Sequence, residues 1–489
     1  HPAVAPAEFM RILVDDYGLE WDVAWEATCK TMSYTNHTIL SEALEKWHTG
    51  LFSYVLPRVY QIIVEIDNRY ISRMSAQGVD YETIENTRIV RNSQIHMAHL
   101  AIIGGHSVNG VAKLHTELLK EDTLRDFYKI SPEKFNNKTN GIVQRRWTQI
   151  AAPHLSQTID KWIGDGWRSD IHELRKLNDF VDNPDAQADF WQVKQESKQR
   201  LADYIEKTTG VHVNSQAIFD VQVKRLHAYK RQLLNVLHII KLYWDIKDNP
   251  NADFTPRVFI FGAKAAPGYH FAKSVIKVIN ELANLINNDP AIGDKLKVIF
   301  LENYRVSLAE LIIPAANVSE QISLASKEAS GTSNMKFMMT GAVTLATLDG
   351  ANIEIKQEVG DDNIVIFGMD KDAVYRHYES HDYYSRGIYE SNPVIHRVVN
   401  SLVDGTIPNC QSEGNEIFDA LITYNDEYFL LEDFQSYVDA QARIAQLYAD
   451  RSRWMHMSLM NIANSDKFSS DDTIRQYAQE IWQLHLPQA

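Results

Sequence analysis

Two kinds of hydrophobic pattern divide the chain near residue 210. Before it, apolar positions recur at helical spacing. In 51–70 they fall on Leu51, Tyr54, Val55, Val59, Ile62, Ile63 and Ile66, close to one face of a helix with a 3.6-residue period. Residues 96–100 and 108–119 read the same way, and no run in this stretch reads as a strand. After Asn214 short β-branched or aromatic runs take over, at 217–223, 257–262, 297–301, 342–347 and 363–368. Helical patterns at 229–246, 268–288 and 305–313 separate them. Strand–helix–strand alternation at this spacing predicts crossover units and a parallel sheet. Ligands of such sheets lie beyond the carboxyl ends of the strands, so the residues just after each run are the ones to inspect. From about residue 415 the pattern is helical again, with no internal repeat and no low-complexity tract.

Composition narrows the class. The 489 residues carry 49 Lys and Arg against 64 Asp and Glu, a formal charge of −15, with 45% hydrophobic residues. That is an ordinary globular composition, long enough for more than one domain. The acidic balance argues against a nucleic-acid-binding surface but leaves room for a local basic pocket. No window reaches the ~18–20 apolar residues a membrane helix needs. Cys29 and Cys410 are no disulfide framework, which favours a reducing, cytoplasmic setting. The opening HPAVAPAEFM has no basic-then-apolar leader and no initiator Met, so the chain reads as cut from something longer.

Three segments stand out chemically. In VQVKRLHAYKR (221–231), Lys224, Arg225, Lys230 and Arg231 lie close together with no acid among them. They follow an expected strand and open an expected helix. Cations there oppose the macrodipole unless an anion is bound, so this is either an anion site or a solvated basic turn. In KEASGTSNMKFMMTGAV (327–343), Ser330-Gly331-Thr332-Ser333 reads as a helix start with free amides and hydroxyls, suited to a phosphate. Lys336 follows among Met335, Phe337, Met338 and Met339. A desolvated lysine loses pKa, as Schiff-base chemistry with an aldehyde cofactor requires; the plainer alternative is a lysine snorkelling from a core helix. A phosphate cradle beside it tilts the balance toward pyridoxal phosphate. The third segment, FGAKAAPGYH (261–270), is a Gly-rich loop with Gly262, Lys264 and Gly268 but no nucleotide-binding spacing. His96, His99 and His106 lack a metal-ligand pattern and read as satisfied helix histidines; no metal site is expected. No serine- or cysteine-nucleophile signature is present.

Taken together, an ordered series of blocks resembles the α-glucan phosphorylase family: glycogen, starch and maltodextrin phosphorylases. The blocks are YTNHTILSEALEKW (34–47), GGHSVNGVAKLH (104–115), NKTNGIVQRRW (137–147), VQVKRLHAYKRQLLN (221–235), GAKAAPGYH (262–270), VIFLENYRVSLAE (298–310) and EASGTSNMKF (328–337). TLDGANIEI (347–355) and KFSSDDTIRQYAQEIW (467–482) carry it to the C-terminus. The resemblance implies that Lys336 carries pyridoxal phosphate, with Thr332, Ser333, Lys224, Tyr304 and Arg305 around the cofactor and Trp147 near its ring. It implies that Arg225 and Lys230 grip the substrate phosphate, so that Lys224, Arg225 and Lys230 form the catalytic cationic group. His37, Asn140, Glu328, Ser330 and Gly331 match positions that hold the terminal glucose.

The activity implied is phosphorolysis of the terminal α-1,4 bond of a glucan by inorganic phosphate, giving α-glucose 1-phosphate with retention. The implied enzyme is a cytoplasmic homodimer without nucleic-acid or membrane partners. A nucleotide-sugar-dependent glucan synthase of the same architecture, or a silent glucan-binding fragment, are the alternatives. The implied fold is α/β of the GT-B type, two Rossmann-like lobes facing a cleft, with the first lobe incomplete in this chain. The expected division is 1–140 as the helical remainder of the first lobe, 141–460 as the cofactor-binding lobe, and 461–489 as a terminal helix packing back on the first. Because family members carry a long region before His1, including a Gly-rich phosphate-closing loop, the chain alone is expected to be inactive. Departures from the family pattern are Val143-Gln144 for Thr-Pro, Ala228 for an acid and Ser333 for a frequent Gly.

Overall fold

A computed structural model describes residues 2–484. The chain divides into two compact units: one runs to Asn140 and takes in the segment from Asp472, the other is Gly141–Asp471.

The first unit is largely helical around a core that includes Ile62, Ile63, Ile66, Ile95, Leu100 and Leu119. The expected helix over 51–70 is broken in two: residues Thr49–Val55 form one helix and α1, Pro57–Ala76, the next. Pro57 supplies no N–H and drives Leu56 to an extended φ of −128°, which ends the first helix and starts the second. The expectation of no strands here fails. Strands β1 (Tyr34–Thr35), β5 (Val108–Gly110) and β6 (Phe135–Asn137) form a parallel sheet in the order β1-β5-β6. Strands β2 (Lys46–His48), β3 (Val90–Arg91) and β4 (Gln94–His96) form an antiparallel one. Each strand is two or three residues long, too short for a period-2 pattern to register. The helical reading of 108–119 holds only from Lys113 onward, where an α-helix over Lys113–Leu118 runs on into a π-helical turn at Leu119. Among the three histidines, His99 alone is helical, and burial pushes it down to about 4. His96 closes β4, and His106 lies past the helix, its ring nitrogens against the carbonyls of Cys29 and Ile481.

The second unit is built on a six-stranded parallel sheet. Its strands are β7 (Ile218–Val223), β8 (Arg257–Gly262), β9 (Leu296–Phe300), β10 (Val318–Gln321), β11 (Val343–Ala346) and β12 (Val365–Ile366). Their spatial order is β12-β11-β10-β7-β8-β9. The first three strands step outward one way and the next three the other, the arrangement of a doubly wound Rossmann sheet whose direction reverses between β7 and β10. Helices cover the faces: α2 (Pro184–Thr209), α3 (Gln232–Asp248), α4 (His270–Asn287), α5 (Val306–Ala315), α6 (Ser333–Met339), α7 (Asn352–Val359), α8 (Leu430–Ala449) and α9 (Arg451–Ala463). β7, β8, β10 and β11 are buried along their whole length, as a parallel sheet covered on both faces requires. α4 shows the matching helical signature, burying Val275, Val278, Ile279, Leu282 and Ile286 on one side. Among the described residues no helix is long and apolar enough to cross a membrane.

One cation of the basic segment belongs to this scaffold. Arg231 stands at φ +54° just before α3 and is fully buried. Its Nε donates to the Ile322 carbonyl at 2.8 Å, and its guanidinium pairs with Asp433 of α8 at 2.7 Å. It is therefore a structural strut, and the reading of all four cations as one anion site is corrected here. Asp433→Ala strands a buried guanidinium and is expected to cost about 3–5 kcal/mol. Replacing both partners, Arg231→Met with Asp433→Leu, is expected to restore most of that. Urea unfolding followed by tryptophan fluorescence checks both variants. A loss for Asp433→Ala below about 1 kcal/mol, typical of a solvated pair, would show that the charge reaches water.

Candidate functional site

The reversal between β7 and β10 leaves the carboxyl ends of two neighbouring strands open on the same side of the sheet. Val318 pairs with Asp220 and Ser319 with Val221, so Gln321 ends β10 beside Val223, the last residue of β7. The next residue along β7 is Lys224. Its Nζ donates to Gln321 Oε1 at 2.8 Å. Gln321 Nε2 turns the other way, to Ser319 Oγ at 3.0 Å and Ser333 Oγ at 3.3 Å. One glutamine thus ties the basic segment to the start of the helix that carries Lys336. Burial, with the Lys230 charge adding to it, pushes the Lys224 ammonium down to about 8 although Glu328 pulls the other way.

The rest of the basic segment is pinned as a loop. Lys224 N donates to Gly262 O and Leu226 N to Lys264 O, both at 3.0 Å, which gives the Gly-rich segment its use. A Cβ at Gly262 would come within 3.1 Å of Val223 and 3.3 Å of Tyr304, so glycine is what lets the two strand ends and Tyr304 close up. A short turn, Ala228–Lys230, precedes α3, which starts at Gln232 and not at 229. Arg225 is exposed, and its guanidinium has no hydrogen-bond or ionic partner among the described residues. Lys230 instead pairs with Glu328 at 2.6 Å. The same Glu328 oxygen receives Ser323 Oγ at 3.4 Å and Tyr229 OH at 3.5 Å. Burial opposes ionisation of Glu328, yet the Lys230 and Lys224 ammoniums together hold its carboxyl below the ordinary value.

The loop from Ser326 to Gly331 is shaped by a residue that sequence reasoning assigned no role. Asp349 accepts the backbone N–H groups of Ser326, Lys327 and Glu328 at 3.0, 3.3 and 2.8 Å. Burial pushes its carboxyl up to about 7 against the pull of those amides. Gly350, at φ +50°, leaves no room for a side chain: a Cβ would sit 2.7 Å from Ser330 O. Ala351 N binds that same carbonyl at 2.9 Å. Ser330 is buried with its hydroxyl on Gly331 O at 2.7 Å, and Gly331 takes φ +73° before Thr332, which stands at the N-cap position of α6 without a side-chain capping bond. Thr332 is exposed. Gln321 and Asp349 were missed because a glutamine ending a strand and an aspartate in a loop carry no motif.

Lys336 lies in the middle of α6. Its Nζ stands 4.0 Å from the centre of the buried Trp147 ring, and no carboxylate, hydroxyl or carbonyl partners it among the described residues. Burial, reinforced by the Arg146 charge, lowers its pKa. Arg146 itself is held by Glu310 of α5 at 2.7 Å. Tyr304 and Arg305 lead into α5; Tyr304 is partly buried, its hydroxyl pushed up to about 12 by burial, and Arg305 is exposed with one bond to Asn303 O at 3.2 Å. The second unit therefore carries Trp147, Lys224, Arg225, Lys230, Tyr304, Arg305, Glu328, Ser330, Gly331, Thr332, Ser333 and Lys336. His37 and Asn140 belong to the first unit: His37 is exposed, with its pKa lowered by desolvation from the groups around it, while Asn140 N bonds Val111 O at 3.0 Å.

Such a site offers an unpartnered amine of lowered basicity beside an aromatic ring, and a set of cations matched by a single carboxylate. The sequence model of the carbohydrate phosphorylases matches residues 1–484. A glycogen phosphorylase of Bacillus subtilis is 52% identical over 483 residues, covering 99% of this chain and 60% of that protein. The bovine muscle form is 47% identical over 486 residues, with 99% and 58% covered. A Synechocystis glycogen phosphorylase is 47% identical over 489 residues, with 99% and 57% covered. The chain thus spans about three fifths of the length of these relatives. On the family match and these identities, the chain belongs to the carbohydrate phosphorylase family.

Proposed function

We propose that this chain is the part of an α-1,4-glucan phosphorylase that holds pyridoxal phosphate and the substrate phosphate, in an enzyme of GT-B architecture. The observation that carries the proposal is Lys336, a lysine with no polar partner, lowered in pKa and set against Trp147. A structural lysine in a half-buried place acquires a carboxylate or carbonyl partner. A lysine reserved for a carbonyl needs a free amine near neutral pH. These residues fit the cofactor. Lys336 would hold it through the ε-nitrogen, Trp147 would flank its ring, and Lys224, Ser333, Thr332, Tyr304 and Arg305 would surround its phosphate. When bound, pyridoxal phosphate supplies a phosphate group that exchanges a proton with inorganic phosphate.

The remaining work falls to this chain's own groups. Glycosidic cleavage runs through an oxocarbenium-like state, with inorganic phosphate protonating the leaving oxygen and then attacking the same face of the sugar. Two adjacent phosphates repel, so fixed cations are needed where they meet. Lys224, Arg225 and Lys230 fill that role. Glu328 keeps Lys230 aimed until an anion arrives, and with Ser330 and Gly331 offers directional partners to sugar hydroxyls. His37 and Asn140 are proposed as further glucose contacts on the sequence match alone. The reading carries with it a cytoplasmic homodimer acting on glucan and phosphate.

Phosphate-dependent release of glucose 1-phosphate from maltodextrin, by the protein at its natural length, tests the activity; transfer of glucose from a nucleotide sugar onto the glucan, with release of the nucleoside diphosphate, would instead identify a synthase. Borohydride reduction followed by peptide mapping should label the peptide Met335-Lys336-Phe337. Label on another lysine sinks the cofactor assignment.

Arg225→Ala should lower turnover at saturating glucan far more than it weakens glucan binding, because a planar guanidinium fork suits phosphate oxygens and not a sugar chain. A loss of about 2–4 kcal/mol in transition-state stabilisation, roughly 30- to 1,000-fold, is expected. An unchanged rate at saturating phosphate rejects the role.

Lys224 gives a pH signature. With its ammonium pushed down to about 8, it is charged below that pH and neutral above it. Affinity for an anion should therefore fall as pH rises through about 8, and not near the ordinary lysine value of about 10.4. Sulfate, which does not titrate in this range, is the probe, measured by calorimetry on the cofactor-free protein at fixed ionic strength. Lys224→Arg should move the fall to higher pH. A flat profile in the unsubstituted protein contradicts the assignment.

A further inference from the structure

Two helices that frame the candidate cofactor cradle end on one buried ammonium. α5 begins right after Tyr304 and Arg305, and α6 carries Lys336. Lys194, projecting from α2, donates to Pro314 O and Ala316 O at the end of α5 and to Thr340 O at the end of α6, each at 2.8 Å. Lys194 is buried, and no carboxylate pairs with it among the described residues. An ammonium has three N–H donors, and here every one is used on a main-chain carbonyl. The carbonyl ends of helices are the negative ends of their dipoles, so the charge sits where two such ends meet.

The contact leads straight to Lys336. Thr340 follows it by one helical turn and returns to it twice: its N–H reaches Lys336 O at 3.3 Å and its hydroxyl reaches the same oxygen at 3.2 Å. The Thr340 hydroxyl also lies 3.3 Å from Ile313 O, joining the two helix ends. α6 has seven residues, too few to hold a helix by its own hydrogen bonds in water. Its geometry is therefore set from outside. At the C-terminal end the agents are Lys194 and Ser458, whose hydroxyl binds Gly341 O at 2.7 Å.

We propose that Lys194 is a positioning residue for Lys336: by clamping the ends of α5 and α6 together, it fixes the ε-amine of Lys336 relative to Tyr304 and Arg305. This rests on the reading of Lys336 as the cofactor-bearing lysine. The clamp itself does not, and the experiment separates the two. Lys194→Met and Lys194→Arg are made in the protein at its natural length. Lys198→Met serves as comparator: Lys198, one turn along α2, is also buried but donates to Ala217 O at 2.6 Å, away from both helix ends.

Two readouts are taken. The first is hydrogen exchange, read by mass spectrometry, in cofactor-free protein across 333–343. The second is pyridoxal phosphate affinity, read from absorbance of the bound cofactor. Lys194→Met should speed exchange in 333–343 and weaken cofactor binding roughly 10- to 100-fold, the range seen when a residue that supports a ligand from behind is removed. Lys198→Met should do neither. Lys194→Arg, whose planar fork cannot address three carbonyls arranged as a tripod, should fall between; it keeps the test open if the methionine variant does not fold. Unchanged exchange in 333–343 for the folded Lys194 variants overturns the clamp. Faster exchange with wild-type cofactor affinity overturns the positioning role. If the unsubstituted protein takes up no cofactor, the reading of Lys336 fails and the positioning role with it, while the exchange readout still decides whether Lys194 holds the two helix ends.

Discussion

One hydrogen bond, Lys224 Nζ to Gln321 Oε1 at 2.8 Å, spans the place where the parallel sheet reverses direction. Topology dictates that a gap exists there, because the connections leaving β7 and β10 depart to opposite sides. Chemistry dictates what fills it. A lysine entering that gap loses water, and a neutral amide oxygen offers a partner that does not cancel its charge, so the cation remains available to an anion. A carboxylate in the place of Gln321 would have consumed it. The same amide reaches Ser333, so the orientation of one side chain links the end of β7, the end of β10 and the start of α6.

Charge around this gap is balanced asymmetrically. Lys230 is neutralised by Glu328 at 2.6 Å, Arg231 is withdrawn into the scaffold by Asp433, and Lys224 and Arg225 are left without a carboxylate. In a chain of formal charge −15, leaving two cations uncompensated creates a local positive potential that a general excess of acid elsewhere does not erase, since screening confines each contribution to about 10 Å at ordinary ionic strength. The pair Lys230–Glu328 adds a reserve: an anion arriving near Lys230 competes with a carboxylate that several donors already stabilise. Asp349 makes that carboxylate dependable by fixing the main chain at Glu328.

Much of the second unit was legible in the sequence because its strands are apolar runs: 217–223, 257–262, 297–301, 342–347 and 363–368 all coincide with strands of the sheet. β10 was not, for a definite reason. Val-Ser-Glu-Gln is a polar sequence, yet every residue of it is buried, and its burial is tolerable only because distant segments supply partners that no local pattern reveals. The small strands of the first unit escaped for want of length. In the site, the density of Lys and Arg marked Lys224, Arg225 and Lys230 correctly as neighbours in one loop but swept in Arg231, whose partner Asp433 lies two hundred residues away. Sequence proximity registers charge; it does not register which charges have already been matched by the fold.

The polar strand at the centre of the sheet explains why the site and the core cannot be treated apart. Side chains alternate along a strand, and in β10 both faces are polar. Ser319 and Gln321 turn toward Lys224 and Ser333. Glu320 turns toward α8, where Tyr437 OH reaches it at 3.0 Å and Gln441 Nε2 at 2.6 Å. Gln441 Nε2 also lies 3.2 Å from Asp220 of β7, and burial raises both carboxyls, Glu320 well above its ordinary value and Asp220 with it. Two acids so enclosed are accommodated by retaining a proton between them, with Arg257 within 3.7 Å of Asp220 supplying the remaining positive charge. The register of β10 is thereby fixed from both sides: a one-residue slip would present Glu320 to Lys224 and Gln321 to the acid of β7, exchanging an amide for an acid at the first position and an acid for an amide at the second. A strand made of Val or Ile would pack as well and hold no such distinction. Specificity of register in β10 is therefore what keeps the Lys224 ammonium paired with an amide, and so free to meet an anion.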